Sequence, residues 1–286
     1  MYPWLGPRGR FSPAKAVVFA ALFVPGIWAA VHLAMRDLGP RPVTEAIHDV
    51  GLWAIRLLFI SLAVTPLRQL LQWTPLMQVR RMIGVAAFAY ALAHLSLYVV
   101  DQAFDLKKVV TEIALRFYLT IGFVALLGLS ALAVTSTDGM LRRLGGRRWR
   151  RLHQLAYGIA LLASIHFFLQ VKADVAEPMV MCGLYAWLMG YRALNAWVVR
   201  KPPMPVWMAG LLGIGAAVLT MLGEAVYFWL KRGVDPWRVL NANFTGIIGI
   251  RPGMVVLAIL LAVAAAALLR TMLKRGGGLR FASAGE

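Results

Sequence analysis

Eight long apolar blocks constrain this chain more than any other feature. They run near residues 14–35, 47–65, 82–100, 113–134, 152–171, 176–199, 206–230 and 253–273. Each holds roughly 19–25 residues, enough for a helix to cross a hydrocarbon layer of about 30 Å. In lipid such segments must be helical, because every backbone N–H and C=O needs a partner within its own segment. The expected fold is an all-α membrane protein, a polytopic helical bundle. Only 15% of the residues are charged, against about a quarter in soluble domains.

The net charge of +18 has a topological reading. One side of the bundle collects Arg8, Arg10 and Lys15; Arg68, Arg80 and Arg81; Arg142, Arg143, Arg147, Arg148, Arg150 and Arg151; Arg200 and Lys201; and Arg270, Lys274, Arg275 and Arg280. The other side is poorer, with Arg36, Arg41, Lys107, Lys108 and Lys172. Cytoplasmic loops carry the excess of Lys and Arg, so both termini are expected in the cytoplasm of a bacterium, around a multi-pass inner-membrane protein. An even number of spans agrees. The basic N-terminus precedes an apolar run too long for a signal-peptide core, and that run is read as an uncleaved first span. No soluble basic domain is present to hold nucleic acid; the expected environment is the lipid bilayer.

Cys182 is the only cysteine, which rules out an internal disulfide, thioether-attached haem and cysteine-held iron–sulfur clusters. No GxGxxG motif opens a helix after a strand, and there is no P-loop. No nucleotide-binding domain is therefore expected.

Three of the five histidines fall in long apolar helices: His94 in the third, His153 and His166 in the fifth. Ionisable groups inside a membrane are costly and tend to be functional, and neutral imidazole is a standard axial ligand of haem iron. Helices three and five both leave a basic cluster, so they run parallel. His94 lies 13 positions beyond Arg81 and His166 lies 15 beyond Arg151. At 1.5 Å per residue both stand about 20 Å above the cytoplasmic edge, and two facing histidines at one height can clamp a b-type haem. His153 is 13 residues nearer the cytoplasm, where it serves either a second, inner haem or simply the membrane interface. Fourteen residues below His94, near the same helical face, stands Arg80, which is no ordinary haem ligand. His32 and His48, at outer helix ends, are read as interfacial. Arg116, at the outer start of helix four, and Arg56, in helix two, are candidates for a haem propionate contact or for structural ion pairing. Glu224 in helix seven is either a carboxylate near quinone or the partner of an arginine.

These residues carry a resemblance. VRRMIGVAAFAYALAHLSLY (79–98) and TSTDGMLRRLGGRRWRRLHQLAYGIALLASIHFFLQVK (135–172) resemble the MsrQ family, also called YedZ, as do VTPLRQ (64–69) and RFYLTIG (116–122). The similarity spans roughly residues 10–200. The family is the haem-binding membrane subunit of a periplasmic protein-methionine-sulfoxide reductase system, within the ferric-reductase-like transmembrane group. Relatives in that group carry two histidines on each of two helices; here the matching positions are His153 and His166 on helix five, but His94 and Arg80 on helix three.

The resemblance implies a six-helix ferric-reductase-like haem-binding core in residues 1–200. Residues 201–286 then add two transmembrane helices and a cytoplasmic tail. It implies haem b, one or two per chain, bound by His94, His166 and His153 as metal ligands with Arg80 and Arg116 near the cofactor. It also implies flavin mononucleotide, with no residue to place it. The implied role is an electron-transfer subunit with no catalytic residues of its own. It would pass electrons from the quinone pool or a cytoplasmic flavin reductase to MsrP, a periplasmic molybdopterin enzyme that reduces methionine sulfoxide in damaged proteins. The outer loop KRGVDPWRVLNANFTGIIGIRPG (231–253) belongs either to a lipid-facing hairpin or to a docking element for that partner. A reading from another class is a membrane transporter using intramembrane histidines as proton relays. It predicts broken helices and polar residues at the midplane.

Overall fold

Local sequence chemistry decides where each apolar block breaks. The computed structural model describes residues 3–5, 9–171, 174–199, 204–246 and 249–282, with side chains to residue 274. Of the charges used for orientation, Arg8, Lys172, Arg200 and Lys201 lie outside the described residues, as do the side chains of Arg275 and Arg280. Among the described residues the chain forms twelve α-helices and no strand. Seven helical stretches are long and apolar enough to cross a membrane: Pro13–Met35, Pro42–Leu70, Thr74–Asp101, Phe117–Val134, Asp138–Gln170, Val206–Arg232 and Pro252–Lys274. The chain is a multi-pass membrane protein.

The helices fall into two compact units, Met1–Val64 with Pro75–Gln170, and Thr65–Thr74 with Val171–Glu286. In the first, α1 (Pro13–Ala21) and α2 (Val24–Met35) make one span interrupted near Leu22. Pro25 causes the break, since it lacks an N–H and its ring crowds the preceding turn. Tyr90 repairs it: its hydroxyl accepts from Gly26 N at 2.7 Å and donates to Leu22 O at 2.7 Å. A side-chain hydroxyl thus stands inside the i to i+4 ladder. Tyr90→Phe orphans two backbone groups and is expected to cost about 1–3 kcal/mol, read as a lower Tm of the detergent-solubilised protein.

The rest of this unit comprises α3 (Pro42–Leu70, up to Val64), α4 (Met77–Asp101), α5 (Leu106–Leu115), α6 (Phe117–Val134), α7 (Asp138–His153) and α8 (Leu155–Gln170). Helix α6 packs against both α4 and α8, burying Ala125, Leu126, Leu129 and Leu132. The expected fourth span, 113–134, is divided: Arg116 takes an extended conformation (φ −100°, ψ 104°) between α5 and α6. Asp105 caps α5 by accepting from Lys108 N at 2.9 Å. Helix α7 carries the arginine cluster, begins at a Thr137 cap that accepts from Met140 N at 3.2 Å, and kinks at Gly145 (φ 72°). Arg81 Nη1 pairs with Asp138 at 2.6 Å, which ties the start of α4 to that of α7.

The second unit contains α9 (Ala176–Trp197), α10 (Val206–Arg232), α11 (Pro236–Thr245) and α12 (Pro252–Ala282). Helix α9 is the sixth of the eight apolar blocks, yet it is not among the seven spans. It carries Glu177, Arg192 and Asn195 and packs on α10 and α12, burying Met179, Met181, Trp187, Leu188 and Tyr191. A helix covered by protein on that face does not need the hydropathy of one bathed in lipid. Gly183 allows the approach, since a Cβ there would collide with Thr220 Oγ1. Within the 231–253 loop, α11 is capped by Asp235, whose side chain accepts from Trp237 N at 3.0 Å, and ended by Gly246 in the left-handed region (φ 65°).

Candidate functional site

Four helices of unit one, α3, α4, α6 and α8, meet at two imidazoles. His94 stands on α4 and His166 on α8, and their ring centroids are 6.3 Å apart with planes at 84°. The depth match expected from residue counting is thus realised as a facing pair. His94 Nδ1 lies 2.8 Å from Ile47 O on α3, and His166 Nδ1 lies 2.7 Å from Tyr118 O on α6. A carbonyl only accepts, so in both rings Nδ1 carries the proton and donates. Nε2 is then left with its lone pair, the tautomer a metal ligand needs.

The spacing fits one metal between the rings. Two nitrogen–metal bonds of about 2 Å, plus half a ring on either side, span about 6 Å. Among the described residues no group of three or more His, Cys, Asp or Glu could hold a bare ion. Two axial imidazoles suit a metal whose other four positions come from a macrocycle, so the residues present fit a haem.

A polar chain runs beside the pair. Tyr98, one turn beyond His94 on α4, donates its hydroxyl to Glu112 Oε2 at 2.5 Å. Glu112 Oε1 accepts from Arg116 Nη2 at 3.0 Å, and Arg116 Nη1 donates to the Tyr118 hydroxyl at 3.2 Å. The backbone carbonyl of that same Tyr118 holds His166. Arg116, expected near a propionate, is half-exposed and paired with Glu112. It borders a surface groove of about 450 Å³ shared with Lys107, Lys108 and Thr111.

His153 and Arg80 also meet. Both line an inner cavity of about 70 Å³, together with Ser61, Arg81, Ser136 and Trp149. His153 stacks on Trp149 with centroids 3.8 Å apart. Its Nδ1 is 3.1 Å from Trp149 O, and its Nε2 is 3.3 Å from Ser136 Oγ. A guanidinium stays protonated and has no lone pair to give a metal, so Arg80 offers this cavity positive charge and donors, not a second axial nitrogen.

The remaining candidates find local partners. His32 pairs with Asp37 at 2.8 Å and lies against Trp28, and the exposed His48 lies 3.9 Å from Glu45. Arg56 lies over the Trp53 ring at 5.3 Å. Sequence reasoning missed Tyr98, Glu112 and Tyr118. The only available signal was the four-residue step from His94 to Tyr98, which places both on one helical face.

Comparison with known proteins bears on the same residues. The family model described as ferric reductase like transmembrane component matches residues 50–164. The protein-methionine-sulfoxide reductase heme-binding subunit MsrQ of Rhodospirillum rubrum is 42% identical over 190 residues, covering 66% of this chain and 91% of the relative. The MsrQ of Xanthomonas campestris pv. campestris (strain 8004) is 45% identical over 195 residues, covering 66% and 89%. The chain belongs to the MsrQ family. No solved structure matches it. The matched segment of this MsrQ-family chain takes in Arg80, His94, Arg116 and His153, and ends two residues before His166. About a third of the chain lies beyond what it shares with either MsrQ relative.

Proposed function

We propose that this chain is the haem-b electron-transfer subunit of a methionine-sulfoxide reductase system, with His94 and His166 as axial ligands. The facing pair of imidazoles, each with Nδ1 tied to a backbone carbonyl, is the observation that carries the proposal. The relatives' description as heme-binding subunits supports it. Bound haem, held by His94 and His166, would supply a one-electron carrier. The protein's residues hold it, exclude other ligands and set its height in the membrane. The pair lies toward the end that the charge distribution assigns to the periplasm of an inner-membrane protein; both termini are cytoplasmic in this reading only with α9 crossing as an eighth helix beside the seven apolar spans. Electrons would arrive from the quinone pool or a cytoplasmic flavin reductase and leave to a periplasmic molybdopterin subunit of the MsrP kind.

In this reading residues 1–200 form the haem-binding core and 201–286 an extension. His153 and Arg80 face a second cofactor position on the inner side, His153 as a single nitrogen ligand and Arg80 as charge partner of an anionic group. Arg116 keeps donors beyond those given to Glu112 and Tyr118, and these suit a haem propionate. Flavin mononucleotide, also implied by the resemblance, has no assigned residue.

The test is the dithionite-reduced minus oxidised spectrum of the purified protein, with haem counted per chain. Sharp low-spin b-type bands are expected. Protein that carries no haem, made in cells with ample haem supply, would return the chain to the transporter reading.

A further inference from the structure

Each imidazole of the pair rests in a notch made by a glycine on the helix that faces it. Ile47, whose carbonyl takes His94, is followed four residues later by Gly51; Tyr118, whose carbonyl takes His166, is followed four residues later by Gly122. A Cβ on Gly51 would stand 2.6 Å from His94 Nδ1 and 2.9 Å from its Cε1. A Cβ on Gly122 would stand 2.7 Å from both His166 Cε1 and Nδ1. Neither distance is tolerable for a real side chain. Among the described glycines only Gly51 and Gly122 would meet a histidine ring, while Gly84 on α4 and Gly158 on α8 would meet nothing within 4 Å.

The i to i+4 spacing explains the arrangement. In an α-helix the carbonyl of residue i accepts the N–H of residue i+4 and keeps a second lone pair turned outward. The Cβ of residue i+4 is tilted back toward the helix N-terminus, over that lone pair. Glycine at i+4 uncovers it. In a membrane the uncovered carbonyl is valuable, because a ring N–H without a partner in hydrocarbon is costly. The same construction occurs twice, on two different helices, around the two rings of one pair.

We propose that Gly51 and Gly122 are positioning residues of the axial pair. By exposing the second lone pair of Ile47 O and Tyr118 O, they fix both rings as the Nδ1–H tautomer and hold Nε2 toward the metal. The proposal rests on the axial reading of His94 and His166, and concerns how those rings are held.

Gly51→Ala and Gly122→Ala test it, with Gly158→Ala as a control of equal chemistry and no contact. The expected result is a weakened low-spin signal in electron paramagnetic resonance, a high-spin component, and haem affinity lower by roughly 10- to 100-fold, measured as transfer to apomyoglobin. The control keeps the wild-type values. Wild-type spectra and affinity in both notch variants would overturn the proposal while leaving the axial reading intact. Loss of the signal in the control as well would make the effect one of general helix packing, and would equally overturn it. Should the variants fail to accumulate, ¹⁵N spectra of histidine-labelled wild-type chain prepared without haem decide. Protons at Nδ1 of His94 and His166 are expected, and protons at Nε2 would overturn the proposal. If haem-loaded wild type shows no paired-histidine signature, the axial reading fails by itself, and the ¹⁵N tautomers still report on the notches.

Discussion

In His94→Ala and in His166→Ala the low-spin bands of the reduced protein are expected to disappear, with any retained haem five-coordinate. Added imidazole restores a six-coordinate spectrum by occupying the space each ring vacates. The effect should be nearly complete rather than partial. With the rings 6.3 Å apart a single metal would be shared, and removing either imidazole would take away one of its two protein ligands. The variants should nonetheless fold. When His94 is cut back, the carbonyl of Ile47 keeps its intrahelical bond from Gly51 N, and Tyr118 O keeps Gly122 N when His166 is lost. No buried group is orphaned, so spectral loss can be read as ligand loss. His153→Ala is the internal comparison, and its low-spin bands are expected to survive, because His153 lines a different cavity with Arg80. Bands that persist in both His94→Ala and His166→Ala would mean that other residues ligate the haem.

The matched height of His94 and His166 was legible in the sequence because straight helices convert residue number into height at a fixed rise. Two histidines counted from two basic clusters on parallel helices therefore had to lie at similar depth. What counting does not give is rotation about the helix axis. That His94 and His166 face each other follows from packing of α6 against α4 and α8, which no single helix encodes. Gly51 and Gly122 were illegible for a related reason. Glycine in an apolar helix serves many purposes, and only the opposing ring reveals which.

Outside the site, long apolar runs were read well and short amphipathic ones were not. Helices α5 and α11 sit in segments whose Lys, Asp, Asn and Gly content reads as loop, although Asp105 and Asp235 are in hindsight ordinary N-caps. The break between α1 and α2 departs from the single run expected over 14–35, and Pro25 is its cause. Its repair by Tyr90, 65 positions away in sequence, was not legible. Helix α9 resembles a membrane span by length, but its Glu177, Arg192 and Asn195 signal a helix that spends much of its surface on protein. The inner cavity was half-legible: the 14-residue step from Arg80 to His94 placed Arg80 on the correct face, and the structure brings it to His153.

Cutting Glu224 to Ala should be the most destabilising single change in the second unit. Glu224 is 1% exposed, and its Oε1 accepts from Arg251 Nη2 at 2.6 Å. Arg251 also lies over the Phe228 ring, 5.7 Å from its centroid, and Phe228 is one turn beyond Glu224 on α10. Removing one member of a buried pair leaves the other charge uncompensated and costs about 3–5 kcal/mol, expected as a Tm lower by roughly 10 °C in detergent. Arg251→Met should cost a similar amount. The pair is not an efficient source of stability, because Glu224 Oε2 and Arg251 Nε have no hydrogen-bond partner among the described residues. Replacing both, as Glu224→Leu with Arg251→Met, should therefore recover most of the loss, since an apolar pair of similar volume is often neutral or better. That double variant also separates the two roles the sequence allows for Glu224. If the carboxylate only balances Arg251, the double variant is stable and delivers electrons from quinol at the wild-type rate. If the carboxylate serves quinone chemistry, the double variant is equally stable and its quinol-driven haem reduction is slow. The geometry favours the first outcome, because Glu224 faces the Arg251 guanidinium at 2.6 Å.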